Sequence, residues 1–94
     1  NRNHLKTSPD EIVHQRTGAT ALHVAAAKGY LDVIELLIRA GANVNAIDND
    51  GWTPLHAAAH WDKHDIIAFL IDKHADLDIK NYAVISTFIF LYSY

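Results

Sequence analysis

Asp50-Gly-Trp-Thr-Pro-Leu-His-Ala-Ala-Ala-His-Trp61 is the stretch from which the fold can be read. Thr53 suits a helix N-cap, because its hydroxyl can accept a hydrogen bond from an unpaired amide of the first turn. Pro54 follows at the first helical position, where a missing N–H costs nothing. Residues Leu55 to His60 are short and rich in alanine. Their small side chains would let the helix lie close against a neighbour.

Working outward, the same text recurs upstream as Thr20-Ala-Leu-His-Val-Ala-Ala-Ala-Lys-Gly-Tyr30. The offset is 33 residues and pairs Gly18 with Gly51, Thr20 with Thr53, Leu22 with Leu55, His23 with His56, and Ala25 and Ala26 with Ala58 and Ala59. It continues through Asp32/Asp65, Ile34/Ile67, Leu37/Leu70, Ile38/Ile71 and Ala42/Ala75. The matches fall on apolar and turn positions, where a helical hairpin needs them. Gly29 can end the first helix in a φ > 0 conformation at no steric cost. Val33, Ile34, Leu37 and Ile38 then recur on one face of a second helix, from about Leu31 to Ala40. Gly41 closes that helix, and the Asn-, Asp- and Gly-rich segment from Ala42 to Gly51 forms a projecting turn. In the second unit Asp62 stands at the Gly29 position and His74 at the Gly41 position. Both enter the left-handed region less cheaply than glycine, so the second unit is expected to be the less stable.

A 33-residue period with Thr-Pro-Leu-His at the head of the unit resembles the ankyrin repeat. The expected fold is an all-α ankyrin-repeat solenoid with two full helix-turn-helix repeats and partial flanking units. Residues 17–49 and 50–81 are read as the full repeats, and residues 1–16 as the end of a truncated preceding repeat. Within that first segment Ser8-Pro9-Asp10-Glu11 reads as a helix start, which predicts a helix over Pro9 to His14. Residues 82–94 form an apolar tail that has lost the turn glycine and the histidine. It is read either as a degenerate capping helix or as sequence foreign to the domain, the second being preferred. The ankyrin resemblance also assigns His23 and His56 hydrogen bonds to the threonine hydroxyl and to the backbone of the turn.

The two quoted stretches, with the lead-in His14-Gln-Arg-Thr-Gly18, resemble more narrowly the myosin phosphatase targeting subunits. These are regulatory subunits of type 1 protein phosphatase (the regulatory subunit 12 family). The likeness is carried by residues 14 to 61, against 17 to 81 for ankyrin repeats in general. It implies a scaffold in the cytoplasm, with an association with the cytoskeleton, that holds the phosphatase catalytic subunit and takes up its C-terminal tail. The family's docking segment, a basic residue followed by Val-x-Phe ahead of the repeats, does not occur in these 94 residues.

Composition narrows the alternatives. Half the residues are hydrophobic, enough for a packed core in a chain of this length. The net charge of -3, with no run of Lys or Arg, is not the footprint of a nucleic-acid binder. There is no cysteine for a disulfide, a thiolate zinc site or a Cys nucleophile. The longest apolar run, Ala83 to Tyr92, falls short of the ~20 residues of a membrane helix. His56, His60 and His64 are spaced like zinc ligands, but the Glu of His-Glu-x-x-His is missing and the helix should end before His64. No nucleophile–base pair and no phosphate-cradling loop is present. No metal or cofactor is expected, and the chain reads as a non-enzyme.

Trp52 and Trp61 have no Trp counterpart in the other repeat. Aromatic anchors are frequent interface hot spots, although packing against the adjacent repeat would account for them equally well. With His60 and the acidic Asp48 and Asp50, and with Lys28 and Tyr30 from the neighbouring unit, they form the candidate protein-binding face. Its acidity suits a peptide carrying Lys or Arg. A generic ankyrin adaptor in signalling or cytoskeletal anchoring is the alternative function.

Overall fold

The computed structural model describes residues 8–73 and residue 75. Four helices follow in chain order, α1 (Ala21–Lys28), α2 (Leu31–Arg39), α3 (Pro54–His60) and α4 (His64–Asp72). The described residues contain no strand. The two helical pairs repeat at the expected offset and give an all-α fold.

Each inner helix begins at a capping box. Thr20 and Thr53 sit in extended backbone, and each hydroxyl accepts from the amide three residues on, at 3.3 Å in both units. The ring of the residue at that third position, His23 or His56, accepts in return from the threonine amide, at 3.1 and 2.9 Å. Two otherwise unpaired donors are satisfied at each start, which lets helices of only 8 and 7 residues form. Gly29 ends α1 at φ 79°. Asp62, its counterpart after α3, takes the same left-handed turn at φ 58°. The Lys63 amide then closes onto the carbonyl of Ala58 at 2.9 Å, as Tyr30 does onto Ala25 at 3.0 Å. His74 lies outside the described residues, but Ala75 makes the bond to Leu70 that Ala42 makes to Leu37, at 2.9 and 3.0 Å.

Packing follows the residue sizes. α1 and α3 lie side by side, with Leu22, Ala25 and Ala26 against Leu55, Ala58 and Ala59. The larger Ile34, Ile66, Ile67 and Leu70 of α2 and α4 complete the core. Small inner and large outer side chains set the two layers of the solenoid. None of the described helices is long and apolar enough to cross a membrane.

One expectation is overturned. Residues 9–14 are not helical; 9–12 form a turn and a bend, and 13 and 14 have no regular structure. Ser8 does start a turn, accepting from the amide of Asp10 at its hydroxyl and from Glu11 at its carbonyl, both at 3.1 Å. The chain then folds back, with His14 donating to Ala19 and Gly18 donating to His14. The offset explains this, since positions 9–14 correspond to 42–47, the projecting turn and not the helix before it. The side chain of Asp10 accepts from the Asn43 amide at 2.8 Å, 33 residues later. Asn49 bonds to the carbonyls of Thr17 and Arg16 at 2.8 and 3.2 Å. A cap signal thus gave one turn, and the repeat register decided the rest. The tail at 82–94 lies outside the described residues.

Candidate functional site

The turn leading into α3 is braced from within. Asp48 accepts at one carboxylate oxygen from the amides of Asp50 and Trp52, both at 2.9 Å, and its own amide donates to the Trp52 carbonyl at 2.9 Å. Gly51 supplies the φ of 80° that the reversal needs. Trp52 therefore leaves a fixed backbone. From α1, His23 Nε2 reaches the Trp52 carbonyl at 2.7 Å. A carbonyl can only accept, so Nε2 carries the hydrogen and Nδ1 keeps the lone pair that receives the Thr20 amide. One imidazole thus caps its own helix and ties the next unit's turn to it.

On this base stands a row of rings. Trp52 stacks on His56 with centroids 5.8 Å apart and meets the edge of His60 at 5.3 Å. His60 in turn meets Trp61 edge to face at 4.8 Å. Trp52 and Trp61 remain 37 % and 57 % exposed, so the row is held by contacts beneath and open above. His56 is buried under it with Nδ1 committed to Thr53, and burial lowers its pKa from the usual value. The negative charge of Asp48 opposes that shift and His23 adds to it. The packed imidazole is a support for Trp52. Among the described residues no three His, Asp or Glu side chains are grouped to hold a metal ion.

The structure joins some of the expected site residues and separates others. Trp52, His60 and Trp61 are in direct ring contact, and Asp48 holds the turn under them. Asp50 is exposed at the tip of the same turn. Lys28, exposed in the last turn of α1, occupies the position that Trp61 occupies one unit later. Tyr30 instead lines an apolar groove with Val24, Val33 and Leu37 on the flank of the first unit. Sequence reasoning missed His56 as the support of Trp52. Its place four residues after Trp52 and inside the cap motif was the available signal.

A capped inner helix, an outer helix, a braced turn and a 33-residue repeat define a class, and the comparison agrees. The model of the family "Ankyrin repeats (3 copies)" matches residues 3–81, and the chain belongs to the ankyrin-repeat family. It is 55 % identical over 71 residues to protein phosphatase 1 regulatory subunit 12A of Mus musculus, a match covering 76 % of this chain and 7 % of that protein. It is 42 % identical over 76 residues to protein phosphatase 1 regulatory subunit 27 of Mus musculus, covering 81 % of this chain and 48 % of the relative. A Notch-regulated ankyrin repeat-containing protein of Xenopus tropicalis is 41 % identical over 56 residues, 60 % of this chain and 49 % of its own length. The chain therefore spans less than half of each of these relatives.

Proposed function

We propose that this chain is part of a regulatory or targeting subunit of type 1 protein phosphatase, acting without catalysis of its own as a cytoplasmic scaffold for the catalytic subunit. The observation that carries the reading is the exposed row Trp52–His60–Trp61 on a turn fixed by Asp48 and His23. The 55 % identity to a phosphatase regulatory subunit supports the choice of partner. Rigid aromatic side chains give contact area at low entropic cost, and the neighbouring acids Asp48 and Asp50 favour a cationic segment of the partner. Lys28 is assigned to the rim of the contact, and Tyr30, which lines the groove of the first unit, is left outside it.

The test is calorimetric titration of the type 1 phosphatase catalytic subunit into the parent protein that contains these residues. Trp52→Ala is expected to weaken binding by at least tenfold, the usual size of a hot-spot loss. Asp50→Lys is expected to weaken it less and to remove part of its salt dependence. Unchanged affinity in both variants would remove the site. A second reading, an adaptor for a different partner, draws on the Notch-regulated relative. It gains ground if the parent protein fails to bind the phosphatase.

A further inference from the structure

Two Ser/Thr-Pro dipeptides occur in the sequence, Ser8-Pro9 and Thr53-Pro54, and the fold treats their hydroxyls differently. Thr53 is buried, and its hydroxyl is bonded both to the His56 amide at 3.3 Å and to the His56 ring at 3.0 Å. Pro54 behind it is the buried first residue of α3. Ser8 is half-buried, stands in backbone without regular structure, and is followed by a turn and no helix. Its hydroxyl oxygen accepts from the Asp10 amide at 3.1 Å, and among the described residues the hydroxyl has no acceptor of its own.

The residues after Ser8 are sensitive to added negative charge. One carboxylate oxygen of Asp10 accepts from the Asn43 amide at 2.8 Å, which ties the Ser8 turn to the start of the projecting turn one period later. The other oxygen, Oδ1, is buried with no hydrogen-bond partner. Leaving a buried acceptor unpaired is costly, so this tie holds with little to spare. Glu11, exposed beside it, adds a second carboxylate.

We propose that Ser8 is a phosphorylation site for a proline-directed serine/threonine kinase, and that the phosphate releases Asp10 from Asn43. Such a kinase takes its acceptor residue in extended backbone and selects for a following residue without an amide hydrogen. Proline meets the second condition and biases the residue before it toward the first. In the transfer a bond forms between Ser8 Oγ and the γ-phosphorus of ATP, the bond from that phosphorus to the β–γ bridging oxygen breaks, ADP leaves, and the hydroxyl proton is released. The product carries close to two negative charges two residues from Asp10 and three from Glu11. Like-charge repulsion then opposes the Asp10 carboxylate at the position where Asn43 needs it. The bonds from Asn49 to Thr17 and Arg16, further along the same turn, involve no carboxylate and remain. The proposal is independent of the identity of any phosphatase partner, which concerns the Trp52 face.

The test treats the parent protein with an active mitogen-activated protein kinase and magnesium ATP, alongside a standard Ser-Pro peptide that reports kinase activity. Peptide mapping is expected to find phosphate on Ser8 and none on Thr53, and Ser8→Ala should remove it. Hydrogen exchange read by fragmentation mass spectrometry should then show the Asn43 amide exchanging about threefold faster or more in the phosphorylated protein, with the Asn49 amide unchanged. Asp10→Ala should give the fast Asn43 exchange without phosphate, and phosphorylation of that variant should add nothing. An unmodified Ser8 beside a modified control peptide would overturn the site. Unchanged exchange at Asn43 in the Ser8-phosphorylated protein, or an equal rise at Asn49, would overturn the release.

Discussion

Replacing His23 separates two kinds of stabilisation that a single ring supplies. Its Nδ1 completes the capping box of α1, and its Nε2 bonds to the Trp52 carbonyl of the next unit at 2.7 Å. His23→Gln puts a standard capping-box residue at that position, so the return bond to the Thr20 amide survives while the reach to Trp52 is lost. His23→Ala loses both and leaves a void where a buried ring stood. A net hydrogen bond is worth about 1 kcal/mol. A cap contributes about 1 kcal/mol more. The glutamine variant should therefore lose about 1 kcal/mol, and the alanine variant about 2–3 kcal/mol once the void is counted. Urea unfolding followed by circular dichroism gives both values. Tryptophan fluorescence, which reports only the second unit because both tryptophans lie there, should lose coincidence with dichroism first in the glutamine variant. Equal losses in the two variants would show that the bond between units contributes nothing separable, and an alanine loss under about 1 kcal/mol would refute the capping role as well.

Asp62 adopts φ 58°, a conformation that costs a side chain about 1 kcal/mol relative to glycine. Asp62→Gly should raise the urea midpoint by about 0.5–1 kcal/mol equivalent, and a fall would mean that the carboxylate holds the turn in some other way. His56 gives a pH dependence whose sign is fixed. Its folded pKa lies below the ordinary 6.5, so the unfolded chain binds this proton more readily. Stability from the neutral ring is present above 6.5 and is lost as pH falls through the folded pKa. The urea midpoint should drop as pH falls from above 6.5 toward the lowered folded pKa, and His56→Gln should flatten the part of the curve due to this residue.

What the sequence made legible was periodic. The paired threonines, histidines and alanines located both inner helices, and Gly29 and Gly41 located their ends, because each does one local job at each recurrence. At Pro9–His14 a local cap signal points to a helix where the register points to a turn, and the register prevails through the bonds of Asn43 to Asp10 and of Asn49 to Arg16, each 33 residues before. Tyr30 is expected on the Trp52 face as a residue of the neighbouring unit, yet it lines the groove of the first unit. Period identifies which unit a residue belongs to. It does not say which flank an exposed side chain turns to, since that depends on what covers it.

The same distinction gives a test of the candidate site. Residues that repeat are those the stack requires, and exposed residues that break the repeat are free to serve something else. Trp52, His60 and Trp61 each break it, standing where the first unit has Ala19, Ala27 and Lys28. Substituting the second unit with the first unit's own residues, Trp52→Ala, His60→Ala and Trp61→Lys together, uses side chains that the fold already accepts at those positions. His56 keeps its bonds to Thr53, and the Trp52 carbonyl keeps His23, since neither depends on the exchanged side chains. The expected losses are the ring contacts of Trp52, about 1 kcal/mol of stability. Binding of the phosphatase catalytic subunit should fall by a hundredfold or more, because three adjacent anchors go at once. A triple variant that unfolds would mean the rings are core, and one that folds and binds at full strength would mean the partner sits on another face.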